Sequence, residues 1–284
     1  HTAFGKDSGV NLGTGTGNAL FGEGAGADLT TGEHNVAVGY HALYQGTTES
    51  DDNVAIGYNA MSGGFTTATV NDNVAIGSGS MAGVLTDSAD ANTVVGTAAA
   101  ASITKGAKHT AIGYQSLATE DVGDRSTAIG YQSLYGQNSD SDNEETGNTA
   151  IGYKSGYSNV TGQNNTYLGY SAGQGISTKS HSDCVFVGSN AGSTAYTGNN
   201  NIAIGSGAMN DIDADANVGA STENIFIGKD SGGGTWVTAA SGYNVAIGNG
   251  TMSAALNAAN ENVAIGHNCF DSATTGDNNV FIGS

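Results

Sequence analysis

The chain has 284 residues, of which 46 are glycine and none is proline, and its formal net charge is −19 at pH 7. With only seven Lys and Arg residues it has no basic patch to neutralise a phosphate backbone, so we expect no nucleic-acid partner. The glycines follow no three-residue period, which excludes a collagen helix, and no apolar run is long enough to predict membrane insertion.

A short unit recurs along the whole chain, and residues 148–155 are a clean copy of it. Sixteen copies, aligned on the glycine that ends each apolar run, follow one another at spacings of 17–23 residues. A fixed minimum spacing to which residues are only added is typical of stacked solenoid coils. We therefore predict an all-β parallel β-solenoid, of the β-roll or β-helix type. It should run through residues 1–284 as one continuous element and belong to a longer fibre.

Each copy begins with a predicted strand. A large apolar residue precedes the anchor glycine, as at Ile112, Ile129, Ile151 and Ile204, and a valine, isoleucine or threonine lies two residues earlier. A period of two predicts a strand, and we assign this larger face to the core. The intervening residue is also apolar, and a strand that is apolar on both faces is normally buried on both. We therefore expect another chain to cover this second face, which carries Ala37, Ala55, Ala150, Phe186, Phe226 and Phe281.

Asparagine opens most copies, as at Asn148, Asn201, Asn244 and Asn262. Identical amides stacked at the spacing of neighbouring strands can form a hydrogen-bonded ladder, so we predict a structural role for them. The anchor glycines suggest a corner with positive φ or a close backbone approach; those of four consecutive copies are Gly113, Gly130, Gly152 and Gly169. The third residue after each anchor is small, and the fourth is either a bulky apolar residue or glycine.

All variation in coil length falls between this turn and the next asparagine, so insertions should emerge at one edge of the solenoid. The longest insertions are acidic. In one of them Asp211, Asp213 and Asp215 alternate, a spacing that can converge on calcium but lacks the glycine and distal glutamate of an EF-hand. We favour a solvated loop and predict no cofactor, with a calcium site as the weaker alternative.

Tyrosine follows the anchor glycine in four consecutive copies, at Tyr114, Tyr131, Tyr153 and Tyr170, which predicts an aromatic ladder. Such a ladder is able to bind sugar rings, or it only braces the corner, which is the more ordinary use. A threonine column between Thr93 and Thr166 is of the kind that ice-binding solenoids use. It shares a face with the isoleucines assigned to the core, so we expect it inside the coil or at an interface between chains.

No catalytic constellation is visible, because the six histidines are scattered without a repeated partner. We therefore predict that the chain is not an enzyme. Glycoside hydrolysis by paired carboxylates is the alternative, since two of the 26 acidic residues could meet across an interface between chains.

Residues 109–117 (HTAIGYQSL) and 126–134 (STAIGYQSL) resemble the shaft repeats of bacteriophage tail fibres. Residues 262–270 (NVAIGHNCF) resemble the head repeats of trimeric autotransporter adhesins, β-rolls in which three chains pack side by side. The coil of at least 17 residues is longer than in those heads and favours the tail fibre. The resemblance implies a homotrimeric, extracellular segment of a virion or cell-surface appendage that attaches to a host-surface glycan or protein. An adhesin head that binds matrix or host cells, and a self-assembling filament without a receptor, are the alternatives.

Overall fold

The structure is a computed structural model that describes residues 1–45, 50–64, 69–86, 89–142, 144–175, 180–194, 198–210, 221–234, 240–272 and 274–284. Within these ranges the protein is all-β and contains no helix. The chain divides into two compact units, His1–Gly147 and Asn148–Ser284.

Each unit is a stack of short parallel strands, one from each coil. The first unit holds β1 (Thr2–Phe4), β2 (Ala19–Phe21), β3 (Val36–Val38), β4 (Val54–Ile56), β5 (Val74–Ile76), β6 (Thr93–Val95), β7 (Thr110–Ile112) and β8 (Thr127–Ile129). The second holds β9 (Thr149–Ile151), β10 (Thr166–Leu168), β11 (Val185–Val187), β12 (Ile202–Ile204), β13 (Ile225–Ile227), β14 (Val245–Ile247), β15 (Val263–Ile265) and β16 (Val280–Ile282). Within a unit, consecutive strands pair in register, so that Ala37 pairs with Ala55 and Ala55 with Ala75. The predicted parallel β-solenoid is confirmed.

Strands β2 to β15 bury their middle residue and turn the flanking residues outward, so the faces assigned from the sequence were the wrong way round. Ala150 is fully buried, whereas its neighbour Ile151 is 37% exposed. The other isoleucines assigned to the core are turned outward in the same way, namely Ile112, Ile129 and Ile204. The residues assigned to an outer face are instead inside, namely Ala37, Ala55, Ala150, Phe186 and Phe226. Phe281, in the last strand, is 38% exposed and stacks on Phe270.

The physical reason for the reversal is the narrow interior of each coil, which holds one side chain from the strand and one from the turn. In most coils where the strand supplies alanine, the fourth residue after the anchor glycine is bulky and buried, as in the pairs Ala55 with Met61 and Ala203 with Met209. The coils of Ala3 and Ala150 differ, since they have Gly9 and Gly156 at this position. In the coils where the strand supplies Leu20, Tyr167, Phe186 or Phe226, that fourth residue is glycine. A Cβ added at Gly232 would lie 2.8 Å from the Phe226 ring. Most coils are therefore filled by one large and one small residue.

The anchor glycine is required by backbone geometry. Gly152 has φ +139°, and a Cβ at this position would lie 2.3 Å from the carbonyl oxygen of Gly169 in the next coil. Residues two and four positions further on adopt left-handed φ even when they are not glycine, as at His41 and Leu43. Their N–H groups donate to neighbouring coils, to the carbonyl oxygens of Glu23 and Ala60, both at 2.9 Å. The turn is thus hydrogen-bonded along the stack, as the strand is.

The opening asparagines are buried and joined in a ladder. The backbone N–H and the side-chain Nδ2 of Asn244 both donate to Oδ1 of Asn224, each at 3.1 Å. Asn262 repeats both bonds to Asn244 at the same distance. Nδ2 of Asn244 also donates to the carbonyl oxygen of Ala259 at 2.8 Å. Each amide therefore joins two neighbouring coils and the turn that precedes the next strand.

Candidate functional site

Two columns of apolar side chains form the outer face of the sheet in each unit. The column before the anchor glycine contains Phe4, Phe21, Val38, Ile56, Ile76, Val95, Ile112 and Ile129 in the first unit. In the second unit it contains Ile151, Leu168, Val187, Ile204, Ile227, Ile247, Ile265 and Ile282. The other column is valine, isoleucine, threonine or alanine, and neither column holds a charged residue. An ordered apolar surface of this kind, repeated at every coil, is typical of a protein interface.

The threonine column lies on this outer face. Thr93 is exposed, and Thr110, Thr127, Thr149 and Thr166 are half-buried beside outward-facing apolar neighbours. The structure therefore excludes the interior position that the sequence left open and places these hydroxyl groups on the apolar face. These threonines and Thr2 are the only polar side chains in the two strand columns, so the apolar face of each unit contains a short polar stretch.

The tyrosines after the anchor glycine stack in pairs on the surface. The rings of Tyr114 and Tyr131 lie 5.3 Å apart at an interplanar angle of 13°. Those of Tyr153 and Tyr170 lie 5.1 Å apart at 7°, and all four rings are 41–56% exposed. Their flat outer edges are accessible to a ligand. A third pair, Tyr40 and Tyr58, stacks in the same way in the first unit.

The acidic insertion at residues 136–147 is held by basic residues rather than simply solvated. Lys105 pairs with Asp142, and Arg125 pairs with Glu145. The backbone N–H of Asp124 also donates to the carbonyl oxygen of Glu144 at 2.8 Å. The described residues of this insertion are therefore bonded to the coils that precede it.

The alternating carboxylates Asp211, Asp213 and Asp215 lie outside the described residues. Among the residues that are described, no group of three His, Cys, Asp or Glu side chains is placed to hold a metal ion.

The asparagine ladder is interrupted at His109, which makes the same hydrogen bonds with an imidazole. Its backbone N–H donates to Oδ1 of Asn92 at 2.9 Å. Nε2 contacts the carbonyl oxygen of Gly123 at 2.5 Å, and Nδ1 accepts from the N–H of Ser126 at 3.1 Å. These contacts fix the neutral tautomer with the proton on Nε2, and burial lowers the pKa of His109. The sequence signal was the asparagine register itself, which the histidine occupies.

The buried Glu120 lies near His109 and has its own hydrogen-bond donors. One carboxylate oxygen accepts from the N–H of Gly123 at 2.9 Å, and the other accepts from Oγ of Ser139 at 3.0 Å. Oγ of Ser126 bonds to Oγ1 of Thr146 at 2.6 Å rather than to the imidazole. The cluster therefore has no serine–histidine pair of the kind that activates a nucleophile. Its bonds join the insertion edge to the core.

A second buried polar group lies in the core of the second unit. The hydroxyl group of Tyr167 bonds to Nε2 of His181 at 2.8 Å, and both side chains are buried. Burial lowers the pKa of His181 to about 4 and raises that of Cys184 to about 12. Cys184 occupies the asparagine register, and its thiol donates to the carbonyl oxygen of Gly198 at 3.4 Å. Neutral groups at neutral pH are consistent with a packing role.

Comparison with protein-family models finds no match for this chain, and comparison with curated proteins finds none either. Within the described ranges, no helix has the length and apolar character that crossing a bilayer requires.

Proposed function

We propose that this chain is a structural and adhesive segment of an extracellular fibre, in which three copies pack together through their outer sheet faces. The observation that carries the proposal is the pair of uncharged, outward columns that repeats at every coil of both units. A single solenoid has no means of covering this face. In a homotrimer, each copy would cover part of the face of its neighbours.

The size of the exposed surface is adequate for this role. Fully burying an isoleucine side chain is worth about 1.5–3 kcal/mol. Covering the exposed 37% of Ile204 therefore contributes roughly 0.5–1 kcal/mol. Eight such residues in one unit would contribute roughly 4–8 kcal/mol, and association costs about 4–15 kcal/mol. The faces of both units are thus needed for a stable assembly.

The stacked tyrosine pairs support attachment to a host-surface glycan or protein. They leave large aromatic edges exposed at the corner of the coil, away from the positions committed to the core. Aromatic rings of this kind supply contact area at low entropic cost. The high negative charge keeps such a particle soluble outside a cell.

Two adjacent residues of β12 provide the test. Ile204→Asp puts a charge on the outer face, so the chain should keep its β-sheet circular dichroism but lose its trimer mass in sedimentation. Ala203→Asp puts the same charge into the fully buried interior, where it has no partner, and should prevent folding. A trimer that tolerates Ile204→Asp would contradict the proposed interface.

A further inference from the structure

We propose that a depression over coils 1–3 of the first unit binds a sugar ring that carries a protonated amino group. The cavity has a volume of about 200 Å³ and is open to solvent on one side. Six of its lining residues offer polar or aromatic groups: Asp7, Asn11, Glu23, Asp28, His41 and Tyr44. The site is distinct from the tyrosine pairs, and this inference rests on the proposed role in surface attachment.

The depression exists because one side chain is missing from a stacked column. Gly24 is the second residue after its anchor glycine, and the equivalent residues in the flanking coils are Asp7 and His41. Backbone hydrogen bonds of 2.9 Å, from Gly24 N–H to the Lys6 carbonyl and from His41 N–H to the Glu23 carbonyl, hold the three coils at normal spacing. The gap is therefore a feature of the side chains alone.

Two aromatic rings form one wall of the depression. The rings of His41 and Tyr44 stack with centroids 4.1 Å apart, and Tyr40 stacks on the other side of His41 at 3.9 Å. A Cβ at Gly24 would lie 2.5 Å from the imidazole, so only glycine lets the imidazole lie over the floor. At Gly79, the same position in coil 5, the flanking residues are Asn59 and Ala98, and no aromatic wall is formed.

Carboxylates line the rest of the depression. Glu23 and Asp7 both contact the exposed Lys6, at 3.5 and 3.7 Å, and Asp28 accepts from Nδ2 of Asn11 at 2.7 Å. Three carboxylates against one ammonium leave the site with two excess negative charges. An ammonium group on the ligand would neutralise one of these two charges and lie beside the aromatic faces.

The size of the cavity limits the ligand to a single ring. At about 30 Å³ per water molecule, 200 Å³ corresponds to roughly seven waters, which suits one sugar residue rather than a chain. Asn11 and Asp28 offer an amide and a carboxylate for the ring hydroxyl groups, and the apolar Val10 and Ala27 contact its carbon face. A terminal amino sugar combines an ammonium group, hydroxyl groups and an apolar ring face.

The test uses two sugars of the same shape, glucosamine and glucose, at pH 7, where most of the amine is protonated. In saturation-transfer NMR on the intact chain, glucosamine should bind saturably with a Kd of the order of 1 mM, and glucose at least tenfold more weakly. The double variant Glu23→Gln/Asp28→Asn keeps the shape but removes two charges, and should weaken glucosamine binding at least tenfold. Asp72→Asn is the control for the loss of a surface charge, because Asp72 is an exposed carboxylate of the same unit outside the cavity.

Three results would overturn the proposal: unsaturable glucosamine binding, equal binding of the two sugars, or an equal loss in Asp72→Asn. Circular dichroism of each variant verifies that the unit is folded, and Tyr44→Leu separates the aromatic contribution because it should weaken both sugars. Sedimentation of the same samples keeps the two proposals separable. If the chain is a trimer that does not bind glucosamine, only the proposed sugar site is wrong. If the chain is a monomer that binds glucosamine, only the proposed trimer is wrong.

Discussion

Exchanging the large and small residues within one coil should reveal how the core is filled. Phe226 and Gly232 share a coil, and the coils on either side hold Ala203 with Met209 and Ala246 with Met252. Phe226→Ala alone leaves a cavity and should destabilise the protein by about 3–5 kcal/mol. Gly232→Met alone drives a side chain into the Phe226 ring, which a Cβ would already approach to 2.8 Å, and should cost about 1–3 kcal/mol.

The double variant should be far more stable than the two single effects predict. It recreates the composition of the flanking coils, and Met209 and Met252 already adopt φ of 48° and 50° at this position. The remaining cost is that of one residue in left-handed backbone, about 1–2 kcal/mol. We therefore expect a favourable coupling of at least about 2 kcal/mol. Urea unfolding followed by circular dichroism measures all four members of the cycle, and additive effects would refute the shared filling of the coil.

Three further predictions follow from buried and exposed side chains. Because burial lowers the pKa of His181 from 6.5 to about 4, the unfolded chain binds its proton first on acidification. The stability contributed by neutral His181 is thus complete above pH 6.5 and falls by about 3 kcal/mol towards pH 4, a loss that His181→Gln should remove from the pH profile of unfolding. Asn224→Ala leaves the Asn244 N–H and the Ser241 carbonyl without their bonds and should cost about 2–5 kcal/mol in urea unfolding. Tyr131→Ala/Tyr153→Ala removes exposed rings and should abolish attachment in a glycan-array or host-cell assay while the melting temperature changes little; unchanged attachment would indicate a spacer.

Much of the fold could be predicted from the sequence because the same pattern of residues occurs in sixteen copies. The period of two identified the strand, and the spacing of the anchor glycines identified the coil. The buried asparagines followed from their recurrence, since stacked amides at one register satisfy each other's hydrogen bonds. Structural features that depend on residues repeated in every coil can therefore be predicted from the sequence.

The prediction of which strand face is buried was wrong. Both faces are apolar, and the face with the larger side chains was assigned to the core. Ile204 is larger than Ala203, yet a coil interior already filled by Met209 has room only for the alanine. The sequence held a signal for this, since Leu20, Tyr167, Phe186 and Phe226 are each followed six residues later by glycine. That pairing shows which strand residue shares space with the turn.

The remaining polar features depend on contacts between coils that no local pattern specifies. His109 could be placed in the ladder from its register, but the buried Glu120 could not. Its donors come from Gly123 in its own coil and Ser139 in the next, and only the folded chain brings them together. The depression at Gly24 likewise depends on side chains from three successive coils.

Sedimentation equilibrium of the unmodified chain, over a concentration series in native buffer, tests the central claim most directly. If the outer sheet faces of three copies cover one another, the mass should be three times the 28.1 kDa of one chain and stay constant on dilution. A folded, soluble species of 28.1 kDa at all concentrations would contradict the claim, because the apolar columns would then face water.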